Sequence, residues 1–519
     1  MTIRVACVGG GPGGLFFATL LKRARPDFEV VLLERNQPDD AFGFGVVFSD
    51  RTLDRIDEAD PALRTALQTA GVHWSSIAVS LRGETFEFAG NGMAAVHRKV
   101  LLRDLQNSAR SVGVDLRFGA DVRSLDELSD FDVVVGADGT NSRIREALEP
   151  ALGSTVETAV AKFIWFGTTH IFERLTFLHR RGPHGNFAAH AYPIAEGLST
   201  FIVETDEDTW RRAGLDGFDL STPPGQSDEI SQSYLRDLFA DDIDGAELVA
   251  NNSRWGNFRT RRTASWHEGN VALLGDAVHT AHFSVGSGTK MAMEDAIVLA
   301  RELAAAPDDI SGAFARYELQ RQPEVARVQN AAGPSLSWWE HFAFYYEHLE
   351  PLDFAFHFFS RSIDIERIRR RDAGLADLVD TAWREREGAS PLETPLQIGD
   401  VVRFEGRALS LRHDEDGAKL VDGAGNELAT QGASAMATVQ APEDDHAAAD
   451  VVLPEGVGVV LVEGGTAVSR SVVAERARLG GRHVSVIVED DIDDSAAATL
   501  ILSGRADAVA RTERQHAGR

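Results

Sequence analysis

Ile3-Arg4-Val5-Ala6-Cys7-Val8 is a short apolar, β-branched run that predicts a strand, and glycines follow it at once. Phe16 to Arg23 then predicts a helix, and Phe28 to Leu33 a second strand closed by Glu34. Val133-Val134-Val135 reads as a buried strand ended by Asp138. In the middle of the chain, 163–172 and 186–205 are apolar-rich with partial alternation, and Glu196-Gly197 is a turn within the second. Residues 248–266 supply further strand. Residues 326–390 read as helical and rich in aromatics, with Trp338, Trp339, Phe342, Phe344, Tyr345 and Tyr346 close together. After Phe404 aromatics almost vanish, and Gly, Ala, Val and Asp dominate. Two β-α pieces stand out there: 457–463 before a helix near 469–479, and 484–489 before 495–509.

The first strand, turn and helix carry specific chemistry. Gly9, Gly11 and Gly14 fit G-x-G-x-x-G between strand and helix, and Glu34 lies 20 residues beyond Gly14. Gly9 makes the tight turn, Gly11 lets backbone approach a pyrophosphate, and Gly14 permits close helix–strand packing. Gly13 lies in the same loop. The helix start offers unpaired N–H groups to phosphates, and Glu34, followed by Arg35, can accept from an adenosine ribose.

At 519 residues the chain is long enough for about three domains. Its net charge of −28 repels nucleic-acid backbones and anionic membrane surfaces, while leaving room for a local basic pocket. The one cysteine, Cys7, excludes an internal disulfide and a cysteine-based zinc site, and it reads as a small buried hydrophobe. No apolar run reaches the roughly 18 residues of a membrane span. Residues 5–21 lack the flanks and cleavage site of a signal peptide, so the chain reads as cytoplasmic. His279 and His282 are three apart in a loop, and no metal site is expected.

Two later segments complete a pattern. Val133-Val134-Val135-Gly136-Ala137-Asp138-Gly139 is followed by Ser142 and Arg145, and Leu273-Leu274-Gly275-Asp276-Ala277 by His279, Gly286, Gly288 and Asp295. With the fingerprint, these resemble the three signatures of class A flavin-dependent aromatic monooxygenases of the p-hydroxybenzoate hydroxylase type. The resemblance implies an α/β fold: a discontinuous Rossmann-type FAD domain over 1–75, 98–152 and 268–325, with a substrate-binding sheet over 76–97 and 153–267. A helical aromatic-rich segment over 326–390 and a small α/β domain over 395–519 complete the expected architecture.

The same resemblance implies site residues. FAD would be held by Gly9, Gly11, Gly13, Gly14, Glu34, Arg35, Val47, Arg98, Asp138, Asp276, Gly286, Gly288, Thr289 and Lys290. Asp276 would bond the ribitol, Arg98 would lie near the phosphates, and 286–290 would present N–H groups to the flavin. The chain departs from the family pattern twice. His282-Phe283 stands where prolines lie against the flavin, and Lys290 stands where an asparagine is usual. Lys290 is one of only five lysines, and a positive charge there would stabilise anionic reduced flavin. His282 would polarise the substrate or move a proton. Phe283, Tyr192, Trp338 and Arg259 are the substrate candidates, although Trp338 reads first as plain core and only second as a pocket wall.

Three segments are unusual for the broad family: 42–50, 280–290, and Ser335-Leu336-Ser337-Trp338-Trp339-Glu340 with its followers Phe354-Ala355-Phe356 and Ser360-Arg361-Ser362. They resemble a subfamily that includes salicylyl-CoA 5-hydroxylase and the monooxygenase part of 2-aminobenzoyl-CoA monooxygenase/reductase, over residues 1–390. That resemblance implies hydroxylation of an ortho-hydroxy or ortho-amino benzoyl-CoA, salicylyl-CoA to gentisyl-CoA above all. NADH or NADPH would reduce the FAD, and O2 would give a C4a-hydroperoxyflavin. Arg259, Arg261 and Arg262, or Arg367 and Arg369 to Arg371, would meet the CoA phosphates. The alternatives are a hydroxylase of a free aromatic or indolic intermediate and a non-catalytic flavoprotein with a partner-binding tail. Residues 395–519 are too few for the roughly 250 of a closed barrel. They are expected to be a degenerate barrel remnant without a second flavin, docking on the first module or forming a homodimer contact, or else an unrelated small α/β domain.

Overall fold

Val5, Ala6 and Cys7 are fully buried, as a strand flanked by parallel neighbours under helices must be. In the computed structural model, Arg4–Val8 pairs in parallel with Glu29–Glu34 on one side and Val133–Gly136 on the other. The sheet runs His267–Glu268, Val271–Leu273, Val133–Gly136, Arg4–Val8, Glu29–Glu34, Asp115–Phe118. The structure describes residues 2–41, 43–49, 56, 58–219, 225–282, 286, 288–399, 402–414, 417–429, 436–481 and 483–513. The chain divides into two units, Met1–Ser80 with Asn91–Leu336, and Leu81–Gly90 with Ser337–Arg519.

In the first unit, helix Pro12–Ala24 lies on the parallel sheet beside helix Gly288–Ala305. A Cβ on Gly13 would come within 2.8 Å of Leu274 and 3.0 Å of Ala292, so this glycine sets how closely the two helices approach.

A second sheet follows the order Leu248–Ala250, Ser154–Thr168, Leu198–Thr205, Gly185–Ala195, Leu175–Gly182, Ile77–Leu81, with Gly256–Thr263 also on Ser154–Thr168. Gly197 closes the expected turn at φ +76°. Alternation sorts its side chains onto two faces. Ile164, Phe166, Phe187, Ala189, Phe201 and Val203 form a core with Leu235 of helix Glu229–Leu238 and Phe239. Tyr192 and Ile194 face the other way and join Phe44, Trp74 and Ala95. There a small sheet, Gly45–Ser49 with Met93–His97 and Val72–Trp74, covers them. The end of the expected substrate segment 76–97 thus pairs with Gly45–Ser49, from the expected FAD segment 1–75.

In the second unit the aromatic helices and the tail belong together. Helix Pro351–Phe359 is almost wholly buried, and Phe359 meets Phe88 edge-on at 5.5 Å. The tail is an open sheet of seven described strands: Glu427–Ala429, Gly417–Val421, Ala408–Asp414, Ala508–Thr512, Val484–Val488, Val459–Glu463, Met436–Gln440. The run from Ala408–Asp414 to Met436–Gln440 is parallel, and Gly417–Val421 and Glu427–Ala429 add antiparallel edges. Consecutive parallel neighbours are also the strand order of a barrel, but this sheet is not closed. Helices Ala467–Glu475 and Asp494–Leu502 are the two predicted after strands.

Candidate active site

The glycine loop has the shape a dinucleotide requires. Gly9 sits at φ +117°, and a Cβ on it would meet the Ala137 carbonyl at 2.2 Å. A Cβ on Gly14 would meet the Gly9 carbonyl at 2.1 Å, whereas one on Gly11 would meet nothing within 4 Å. Two glycines therefore serve the protein's own packing, and the third faces open space where a ligand can approach. Helix Pro12–Ala24 starts with no side-chain cap and no acid in its first turn, leaving its N–H groups to an anion. Glu34 accepts Gly10 N at 2.6 Å on one oxygen, and Asn36 N and Nδ2 at 2.8 and 2.6 Å on the other. A carboxylate has about four acceptor positions, so Glu34 closes the loop and can still receive a ribose hydroxyl. Arg35 is exposed. Cys7 packs its thiol against the Gly14 carbonyl at 3.6 Å, and burial pushes the thiol pKa up.

Several of the expected flavin residues converge. A Cβ on Gly288 would lie 4.0 Å from Asp276 Oδ1, and one on Gly286, at φ +61°, would lie 3.8 Å from the Val47 carbonyl. Thr289 and Lys290 follow in the first turn of helix Gly288–Ala305, and Lys290 Nζ stands 3.8 Å from Glu294 Oε1. Asp276 opens onto solvent yet is ringed by protein. Desolvation pushes its carboxyl up, and His279 and Arg98 pull it back. Arg98 begins helix Arg98–Ser111 and donates its backbone N–H to Phe44 O at 2.8 Å. Its half-buried guanidinium, lowered by desolvation and favoured by Asp276, has no carboxylate within 4 Å among the described residues. A cation facing Asp276, with no ion pair among the described residues, together with an uncapped helix start and an open glycine loop, is a donor set that fits FAD phosphates.

Asp138 acts locally as a cap: Oδ2 accepts Arg143 N at 2.8 Å, while Oδ1 is buried without a hydrogen bond. His282 is 2% exposed, edge-on to Phe258 at 4.8 Å. Tyr192 is buried, 6.2 Å from the Trp74 ring, and its hydroxyl is pushed up to about 12 by that burial. Phe283 lies outside the described residues, as do Phe42, Asp50, Ser284, Val285 and Ser287. Trp338 belongs to the second unit, 2% exposed among Trp339, Phe342, Tyr345, Phe354 and Phe358.

The arginines expected to meet phosphates behave differently from one another. Arg262 is paired to Glu157 at 2.7 Å, whereas Arg259 is exposed with no ion pair among the described residues. Arg261 has a buried Nε with no hydrogen-bond partner, and it is lowered by desolvation and by Arg259 against the pull of Glu149. Arg145, beside it, is lowered by burial and by Arg261. Arg261 thus has like charges on two sides in a chain of strongly negative charge, and the group lies beside Ala277 and Thr280. Thr280 accepts Arg261 N at 2.8 Å, and Gln329 donates to both the Arg261 and Thr280 carbonyls. In the other expected cluster, Arg369 is already taken by Glu366, Asp377 and Asp380.

The sequence reading missed one group. His279, Asp295 and Arg321 form a buried polar cluster beside Gly275, in which Asp295 joins the imidazole to the guanidinium. Asp295 and His279 were visible as signature residues. Arg321, 2% exposed, carries no local signal, because an arginine in a helix reads as surface. Among the described residues no group of three or more His, Cys, Asp or Glu is placed to hold a metal ion, and no helix is long and apolar enough to cross a membrane.

The fold and loop geometry define a p-hydroxybenzoate-hydroxylase-like flavoprotein. The family model described as FAD binding domain matches residues 2–332, and the chain belongs to that family; it is an FAD-dependent aromatic monooxygenase. It is 54% identical to salicyloyl-CoA 5-hydroxylase of a Streptomyces species over 98% of this chain and 100% of that protein. It is 34% identical to 3-hydroxy-4-methyl-anthranilyl-(aryl-carrier protein) 5-monooxygenase of Streptosporangium sibiricum, over 65% of this chain and 89% of that protein. Crystalline p-nitrophenol 4-monooxygenase of Pseudomonas putida shares the fold, with a TM-score of 0.56 at 18% identity, covering 71% of this chain and 96% of that one. The first relative corrects one expectation. Resemblance does not stop near residue 390; it continues through the tail.

Proposed function

We propose that the protein hydroxylates an ortho-hydroxy or ortho-amino benzoyl-CoA thioester, with salicylyl-CoA to gentisyl-CoA as the reaction of choice, using NADH or NADPH and O2. The observation that carries this reading is the 54% identity to a salicyloyl-CoA 5-hydroxylase along essentially the whole chain, tail included.

Bound FAD supplies the redox and oxygen chemistry. The chain's own residues bind and orient. The helix start at Pro12 and Arg98 would take the phosphates, Glu34 the ribose, and Asp276 the ribitol. The first turn at Gly288 to Lys290 would offer its N–H groups, and the Lys290 ammonium its charge, to the flavin. His282, held against Phe258 and shielded from bulk water, polarises the substrate's ring hydroxyl or amino group. Such a group makes the ring electron-rich, which an electrophilic oxygen demands. Arg259 and Arg261 offer cations to a phosphate-bearing ligand.

The reading is tested by supplying FAD-loaded protein with NAD(P)H, O2 and salicylyl-CoA, and weighing the products. A thioester heavier by one oxygen, formed in step with NAD(P)H oxidised, is the expected result. Oxidation that yields only hydrogen peroxide with salicylyl-CoA and with 2-aminobenzoyl-CoA overturns it.

A further inference from the structure

Both ends of the segment from Gly275 to Lys290 are tied to one arginine. At the near end, Asp295 Oδ2 lies 2.7 Å from His279 Nε2 and accepts Gly275 N at 3.0 Å, so the residues on either side of Asp276 are fixed to one carboxylate. His279 Nδ1 is buried with no hydrogen bond, which leaves Asp295 to set the orientation of the ring. At the far end, Lys290 Nζ stands 3.8 Å from Glu294 Oε1. Arg321 joins the two: Nε donates to Asp295 Oδ1 at 2.8 Å, a terminal nitrogen to Glu294 Oε2 at 3.2 Å, and the other terminal nitrogen pairs with Glu324.

Charges alternate along this path, from Lys290 through Glu294 and Arg321 to Asp295, whose other oxygen meets His279. Burial pushes the Asp295 carboxyl up, but His279 and Arg321 outweigh it and hold it below its ordinary range. A buried ion cluster is a poor source of stability, since apolar side chains of the same volume do as well. What it supplies is fixed geometry, because each member is lost expensively if its partner moves.

We propose that Asp295 and Arg321 are positioning residues for the flavin: they hold Asp276 and the first turn at Lys290 in register with each other, and so set FAD affinity without touching FAD. This rests on reading 275–290 as the flavin loop.

The test titrates apoprotein with FAD and follows quenching of flavin fluorescence, with visible circular dichroism reporting the environment of the bound ring. Asp295→Asn and Arg321→Met are expected to raise the Kd for FAD about ten- to a hundredfold, the size of effect seen when a partner behind a ligating residue is lost. Arg321→Lys restores part of it, and the double variant is no worse than the weaker binder of the two. The KM for the aromatic substrate at saturating FAD stays unchanged. Thermal unfolding of each apoprotein shows that the variants fold; if Arg321→Met does not, Asp295→Asn and Arg321→Lys carry the test. Folded variants that bind FAD within about twofold of the parent, or whose effects simply add, overturn the proposal. Asp276→Asn separates the two levels. If it leaves FAD affinity unchanged, the loop reading itself fails. If it weakens FAD while Asp295→Asn does not, only the positioning role fails.

Discussion

Gly10 donates its backbone N–H to Glu34 at 2.6 Å, so the acid at the end of the second strand closes the glycine loop before any ligand arrives. Glu34→Ala is expected to loosen that loop and weaken FAD about tenfold or more, by the loss of a charged acceptor from half-buried donors. Flavin fluorescence quenching measures it, and an unchanged Kd would deny Glu34 this role.

Gly11 and Gly14 are expected to fail differently. Gly14→Ala drives a methyl into the Gly9 carbonyl, and overpacking of this kind costs about 1–3 kcal/mol, read as a lower Tm of the apoprotein. Gly11→Ala meets no protein atom, so the apoprotein keeps its Tm while FAD binding drops. Equal loss of apoprotein stability in both variants contradicts the assignment of Gly11 to the ligand side.

Arg259 and Arg261 should act on KM rather than on kcat. Removing either guanidinium from a phosphate contact costs about 1–3 kcal/mol, or roughly five- to a hundredfold in KM. Separate titrations of the CoA thioester and of NAD(P)H show which ligand the pair serves. If neither KM moves, the cluster binds neither.

His357 makes the second unit acid-sensitive. Its Nδ1 accepts Trp338 Nε1 at 2.8 Å, and its Nε2 stands 3.0 Å from Glu475 Oε1. Burial, with help from Arg505 and against the pull of Glu475, lowers the imidazole from 6.5 to about 4. The unfolded chain therefore binds the extra proton between those values. The stability contributed is complete above pH 6.5 and is lost as the pH falls toward 4. Tm recorded across this window should fall more steeply for the parent than for His357→Gln. Parallel curves would remove His357 as the cause.

Trp338 is expected to matter for stability and not for substrate affinity. Trp338→Leu empties part of a packed aromatic cluster, at about 2–4 kcal/mol. The prediction is a lowered Tm with an unchanged KM for the thioester; a raised KM at unchanged Tm would return Trp338 to the pocket wall.

The nucleotide loop was legible because its signals are local: an apolar strand, three glycines at fixed spacing, and an acid 20 residues on. The second sheet was legible in outline, since long apolar runs with a Glu-Gly turn leave few other choices. The partner of Met93–His97 was not, because pairing Gly45–Ser49 across about 50 residues leaves no mark on either strand. The cluster of Asp295 and Arg321 was hidden for a related reason. Its charges lie 26 residues apart on different helices, and only the fold shows that they meet. In the tail, the two β-α pieces were readable, while Ala408–Asp414 and its antiparallel neighbours carry too little hydrophobic alternation to declare themselves.

The most direct test compares kcat/KM for coupled hydroxylation of salicylyl-CoA with that for free salicylate, on one preparation of FAD-loaded protein. Selectivity for the thioester by two orders of magnitude or more is about 2.7 kcal/mol, within reach of a few phosphate contacts, and is the result predicted here. Equal or greater efficiency on the free acid would contradict a thioester hydroxylase.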